Sequence, residues 1–317
     1  MDNMRIAILD DYQNVAGELA DWDSLNAKVE VFHDHFPDVE TVVARLAEFD
    51  VLVAMRERTR FPAEVLRRLG RLKLLVTTAM GNSAIDIPAA TELGIVVCGT
   101  GYPFFSSTSE LTWALILAAV RSIPLEAQSV REGKWQMSVG RDLEGKTLGL
   151  LGLGSVGSRV AKVGQAFNME CIAWSQNLTA EKAAEHGVTP VSKKELFARS
   201  DVLSVHVVLS DRTRGLVGAD ELASMKPSSL LVNTSRGPIV DEGAMVSALQ
   251  GRRIGGAALD VFDIEPLPDQ HVLRTLDNVL ITPHIGYVTQ GNYKDFYEEA
   301  VEDIAAFVAG EPVRVLG

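Results

Sequence analysis

Three ionisable residues of different chemistry each follow an apolar, strand-like run: Arg236 after SLLVNTS, Glu265 after GAALDVFDI and His284 after NVLITP. Ligands of open α/β sheets sit outside the carboxyl ends of the strands, so these three are expected to converge there. An imidazole titrating near neutrality can exchange a proton with the oxygen of a 2-keto or 2-hydroxy acid in both directions, which makes His284 the candidate acid/base. A carboxylate on the second ring nitrogen favours the imidazolium and fixes its tautomer, the role assigned to Glu265. The planar fork of Arg236 can bind a substrate carboxylate and polarise the carbonyl, a geometry that lysine cannot copy. Together they suit hydride transfer to or from a nicotinamide.

Each residue also has a purely structural reading. His284 follows a proline and could be a satisfied strand-end residue; Glu265 could be an ordinary loop carboxylate. Arg236 could pair with Asp241, which reads as the N-cap of DEGAMVSAL. What favours chemistry is the company they keep. GLLGLGSVGSRVAKVGQAF carries Gly152-x-Gly154-x-x-Gly157 between an apolar strand and a helical pattern. Gly152 permits the tight turn, Gly154 lets backbone approach a pyrophosphate, and Gly157 lets helix lie close on strand, while the helix N-terminus offers N–H groups to the anion. The expected cofactor surface comprises Gly152, Gly154, Ser155, Val156 and Gly157, with Ser175, His206, Thr234, Ser235 and Gly286 at further strand ends. Ser175, Gln176 and Asn177 end the second strand of this lobe, supplying neither a carboxylate for the ribose of NAD nor an arginine for the phosphate of NADP. The cofactor expected is NAD, with NADP allowed.

His33, His35, His186 and His271 have no comparable partners in the sequence and are not expected to carry chemistry. No cluster has metal-ligand spacing. The segment MRERTRFP, with Arg56, Arg58 and Arg60, reads as either extra positive charge at the mouth of a cleft or a solvated helix entry, the second being preferred.

The elements that must position these residues alternate along the whole chain. RIAILD, VEVFHD, VLVAM, KLLVTTA and IVVC form a first series of strands, separated by helical patterns such as DVETVVARLAEF. TLGLLGLG, ECIAWS, DVLSVHV, SLLVNTS, GAALDVF and NVLITPH form a second series, expected as the six strands of a doubly wound sheet. Between the two series lies SSTSELTWALILAAVRSI, whose Ser and Thr at 106–109 offer N-caps for a helix apolar on nearly all sides. Such a helix belongs in a core or against a second subunit. One long helix near 291–309 returns to the first lobe. The fold expected is α/β with two doubly wound parallel-sheet lobes. A Rossmann cofactor domain over 102–285 is inserted in a flavodoxin-like substrate domain built from 1–101 and 286–317.

A chain of 317 residues with 47% hydrophobic and 23% charged residues can build two such cores. A net charge of −12 disfavours nucleic acid or an anionic membrane as the main partner, leaving small molecules. Cys98 and Cys171 cannot make a disulfide framework, and neither a signal peptide nor a spanning segment is evident, so a cytoplasmic protein is expected.

The pieces GLLGLGSVG, LLVNTSRGPIVDEGAM, ALDVFDIEPLP and ITPHIG, in this order, closely resemble those of the D-isomer-specific 2-hydroxyacid dehydrogenases. The resemblance implies that Arg236, Glu265 and His284 form the catalytic set of an NAD(P)-dependent reductase of small 2-keto acids such as glyoxylate or hydroxypyruvate. The substrate would lie between lobes that close on it. The resemblance also implies that Asp260 contacts the nicotinamide carboxamide, that backbone N–H groups of Met80 and Gly81 meet the substrate carboxylate, and that the helix near 106–123 joins a homodimer. Departures are Ser175 for the usual aspartate, HVVLS for His-x-Pro-Leu, and TAMGNSAID for a loop that often reads Gly-Val-Gly. Formate dehydrogenases of similar fold have glutamine where Glu265 stands, so that activity is not expected. Two alternatives keep the same fold: a corepressor-like scaffold that senses NAD, and a phosphoglycerate dehydrogenase without its regulatory domain.

Overall fold

The computed structural model describes residues 4–101 and 105–317. The chain divides into two compact units, Met1–Pro103 with Val288–Gly317, and Phe104–Tyr287.

The first unit carries β1 (Arg5–Ile8), β2 (Lys28–Val31), β3 (Val51–Ala54), β4 (Leu74–Thr77) and β5 (Val96–Gly99), all parallel in the order β2-β1-β3-β4-β5. β3 and β4 are buried along their whole length because helices cover both faces of a parallel sheet, which is why their sequences, VLVA and LLVT, do not alternate. The long helix Gln290–Val308 belongs to this unit. Thr289 caps it by accepting the Asn292 N–H, and Tyr293, Phe296, Tyr297, Ala300 and Ile304 form its buried stripe. Arg58 ties this helix to the segment that follows β1, donating to the Tyr293 hydroxyl at 3.0 Å and to the Asp10 carbonyl at 2.6 Å. Arg56 is buried, its backbone N–H donating to Thr78 Oγ1. Of the three arginines in MRERTRFP, Arg60 is exposed, Arg58 half-buried and Arg56 buried, so the solvated reading of that segment does not hold for Arg56.

The second unit carries β6 (Thr147–Leu151), β7 (Glu170–Trp174), β8 (Thr189–Pro190), β9 (Val202–Val205), β10 (Leu230–Asn233), β11 (Gly256–Leu259) and β12 (Val279–Ile281). They form one parallel sheet in the order β12-β11-β10-β9-β6-β7-β8. The sheet therefore has seven strands where six were expected. β8 escaped because it is two residues long at the edge and ends in proline, which gives no periodicity to read.

The helix Phe105–Val120 starts before the residues expected to cap it. Ser109 and Thr112 lie inside it and donate to the carbonyls of Ser106 and Thr108. Hydroxyls that satisfy themselves on nearby helical carbonyls can sit within a helix, so a Ser/Thr cluster does not by itself mark the N-cap. The packing neighbour of this helix is Ser155–Ala166, where Trp113 Nε1 donates to the Val160 carbonyl at 3.1 Å. Gly164 lets the helix Ser155–Ala166 lie close on the sheet, since a Cβ there would lie 2.6 Å from Leu148 Cδ2.

Candidate active site

β6 ends at Leu151 and the glycine motif follows at once. Gly152 adopts φ +102°, and a Cβ on it would lie 2.6 Å from the His206 carbonyl oxygen; one on Gly157 would lie 2.2 Å from the Gly152 carbonyl oxygen. Both positions therefore require glycine for the turn and for the close helix. Gly154 differs, for a Cβ there would meet nothing within 4 Å. The open space lies at the N-cap of the helix Ser155–Ala166, whose first turn holds Ser155, Val156 and Gly157. Unpaired N–H groups beside a cleared volume fit the pyrophosphate of a dinucleotide.

The other expected cofactor residues surround the same carboxyl edge. Ser175 follows β7 and its carbonyl accepts the Leu178 N–H at 3.1 Å. Just beyond β9, His206 Nε2 lies 2.8 Å from Ser204 Oγ, and burial pushes its imidazole down to about 3, so it is neutral at physiological pH. Thr234 is buried after β10, hydroxyl to hydroxyl with Thr112 at 2.8 Å, and Ser235 Oγ donates to the Val207 carbonyl at 2.6 Å.

Each of the three candidate chemical residues is held by its own strand end. Asn233, the last residue of β10, donates from Nδ2 to the Arg236 carbonyl at 2.9 Å and accepts the Ser235 N–H at 3.0 Å, so one side chain shapes the turn that presents Arg236. Asp241 acts as the expected cap, accepting the Ala244 N–H at 2.8 Å. Glu265 uses both carboxylate oxygens. Oε1 accepts the Phe262 N–H at 2.9 Å, and Oε2 lies 2.6 Å from His284 Nδ1. A carboxylate cannot donate, so Nδ1 carries the proton and Nε2 is the nitrogen left to face a substrate. The His284 and Glu265 side chains are 21% and 33% exposed, which keeps their contact short of full screening by water yet within reach of a ligand. Tyr287 packs edge-on against the imidazole with ring centroids 5.5 Å apart.

Asp260, just after β11, is fully buried. Its Oδ1 accepts the Thr282 hydroxyl at 2.5 Å and the Ile285 N–H at 2.9 Å, and its Oδ2 accepts the Gly286 N–H at 2.9 Å. Burial raises its proton affinity above the usual carboxylate range, against those hydrogen bonds and the nearby His284. In the first unit, Met80 is 49% exposed, while the Gly81 N–H turns back to the Ala79 carbonyl at 3.0 Å.

Sequence reasoning missed Asn233, Thr282 and the Phe262 N–H. The asparagine ending an otherwise apolar strand was the one visible signal. It also misjudged His271, which does have a carboxylate partner: Nε2 lies 3.1 Å from Glu242 Oε1, and Nδ1 accepts the Leu273 N–H. Their separation of 29 residues hides the pair from any local reading. Among the described residues no group of three or more His, Cys, Asp or Glu could hold a metal ion, and no helix is long and apolar enough to cross a membrane.

Residues 113–286 match a family model described as D-isomer specific 2-hydroxyacid dehydrogenase, NAD binding domain. The chain is 40% identical to a glyoxylate reductase of Aeropyrum pernix, covering 87% of this chain and 84% of that one. It is 39% identical to a D-3-phosphoglycerate dehydrogenase of Archaeoglobus fulgidus, of which it spans only 52%. A phosphoglycerate oxidoreductase structure from Vibrio cholerae superposes with a TM-score of 0.93 at 40% identity, covering 97% of this chain and 99% of that one.

Proposed function

Because the chain belongs to the D-isomer specific 2-hydroxyacid dehydrogenases, oxidoreductases that work with NAD(P), we propose that it reduces a small 2-keto acid of the glyoxylate or hydroxypyruvate type. We further propose Arg236, Glu265 and His284 as the groups that do so. The observation carrying this reading is the 2.6 Å contact between His284 Nδ1 and Glu265 Oε2. The bound nicotinamide supplies or accepts the hydride. Arg236 holds the substrate carboxylate and polarises its carbonyl. His284 moves the proton at Nε2 while Glu265 stabilises the charged ring. Gly152, Gly154, Ser155, Val156 and Gly157 hold the pyrophosphate; Ser175, His206, Thr234, Ser235 and Gly286 line the rest of the cofactor surface. On this reading residues 104–287 are the cofactor domain and the other unit the substrate domain. Met80 supplies a backbone donor for the substrate, and Gly81 can do so only by releasing its turn.

NAD is favoured over NADP because no cation stands among Ser175, Gln176 and Asn177. We also propose a cytoplasmic homodimer. Cys98 and Cys171 are free, and the segment that follows the helix Phe105–Val120 exposes Ile123, Leu125, Val130, Trp135, Met137 and Val139, a run better covered by a second copy than by water. Light scattering would show twice the chain mass, and a monomer at micromolar concentration would refute the dimer.

The test of the activity is a panel of 2-keto acids mixed with NADH or NADPH, following loss of reduced-cofactor absorbance. Turnover of a small keto acid supports the enzyme. Cofactor binding with no turnover across the panel points to the scaffold instead.

A further inference from the structure

His284 sits at φ +53°, a left-handed backbone that a residue with a Cβ rarely adopts unless its surroundings impose it. One side chain holds the backbone on both sides of it. The carboxylate of Asp260 accepts the N–H groups of Ile285 and Gly286, the two residues that follow His284, and the hydroxyl of Thr282, two residues before it. The clamp thus spans the turn, and His284 is the residue enclosed. Asp260 is fully buried, so no water competes for these bonds, and its β11 neighbour Leu259 is in register with Ile281 of β12. A second tether completes the arrangement: Thr108 donates to the Gly286 carbonyl, and a Cβ on Gly286 would stand 3.3 Å from Asp260 Oδ2.

We propose that Asp260 is a positioning residue for His284: its carboxylate fixes residues 282–286 so that the imidazole meets Glu265, a role separate from any contact with the nicotinamide. The proposal rests on His284 being the acid/base. It follows from hydrogen-bond capacity. The carboxylate accepts three bonds at once, whereas an asparagine would turn an N–H₂ toward Gly286 on one side or toward Thr282 and Ile285 on the other. Either orientation sets donor against donor and frees the turn. A displaced imidazole costs rate with little effect on cofactor affinity, because proton transfer depends steeply on geometry.

The experiment compares wild type, Asp260→Asn, Thr282→Val, Thr282→Ser and His284→Ala. Measured quantities are kcat, the pH profile of kcat/KM, the NADH dissociation constant by fluorescence, and deuterium uptake of the peptide covering 282–286. Positioning predicts that Asp260→Asn loses at least ~100-fold in kcat, with a displaced pH profile, accelerated uptake and NADH affinity within about threefold of wild type. Thr282→Val, which keeps the carboxylate, loses a smaller factor that Thr282→Ser restores. The idea is overturned if Asp260→Asn keeps the wild-type kcat and pH profile, or if it weakens NADH binding more than it slows turnover. Should Asp260→Asn not fold, the Thr282 pair decides, and equal kcat in the valine and serine variants overturns the clamp. Failure of the parent reading looks different: wild type itself reduces no keto acid. Deuterium uptake then still judges the clamp, unchanged exchange at 282–286 refuting it and faster exchange supporting it.

Discussion

Gly237 and Phe262 touch so closely that a Cβ on the glycine would lie 2.1 Å from the Phe262 carbonyl carbon and 2.3 Å from its oxygen. Backbone meets backbone here, which joins the turn presenting Arg236 to the turn that orients Glu265. Gly237→Ala must push the two turns apart. We expect a loss of about 1–3 kcal/mol in urea unfolding, typical of overpacking, with a fall in kcat beyond what lower stability explains. An alanine variant of wild-type stability and rate would show that the contact gives way easily.

Gly154 supplies the contrasting case, since a methyl group there meets only open space. Gly154→Ala should leave the melting temperature nearly unchanged while weakening NADH binding by about tenfold, or ~1.4 kcal/mol. Isothermal titration decides this. Unaltered affinity would mean that the pyrophosphate does not approach this backbone.

His284→Ala should reduce kcat by roughly 10²- to 10⁴-fold, the usual contribution of a general acid/base, while the NADH dissociation constant stays near the wild-type value. Equal loss in both would take the imidazole out of the chemistry.

Arg236→Lys keeps the charge but not the fork. Substrate KM should rise and kcat fall by a combined factor of about 10² or more in steady-state assays, on the scale of a lost bidentate ion pair. Near-normal kinetics would exclude a two-point clamp.

His206 bears on acid stability. Its folded-state value, about 3, lies below the ordinary 6.5, so between these limits the unfolded chain binds the proton and the folded chain does not. Stability from this residue is therefore complete above pH 6.5 and is lost as pH falls toward 3, by at most about 1.4 kcal/mol per pH unit. His206→Gln should flatten that slope in urea titrations of the cofactor-free protein. It should leave the neutral-pH limb of the rate profile in place, and a shift of that limb would implicate His206 in proton transfer.

The larger design was legible because it is written in periodicity. Uniform apolar runs such as VLVA and LLVT announce strands of a buried parallel sheet, and a glycine motif between strand and helix announces its own geometry. Arg236, Glu265 and His284 were visible because charge at the end of such a run is out of place. What remained hidden depends on partners distant in the chain. No local pattern links Asp260 to Ile285 and Gly286, His271 to Glu242, or Arg58 to Tyr293 across 235 residues. Arg56 misled because arginine is usually solvated, a statistical expectation that its burial beside Thr78 overrides.

Cys98 and Cys171 are both buried, and desolvation pushes each thiol up to about 11, well away from the thiolate that alkylating reagents and peroxides attack. Neither should react appreciably in the native protein at neutral pH. A single cysteine placed on an exposed loop would then be the one reactive sulfur, ready for a fluorophore or spin label without first stripping the two native ones, whose removal would hollow out both cores.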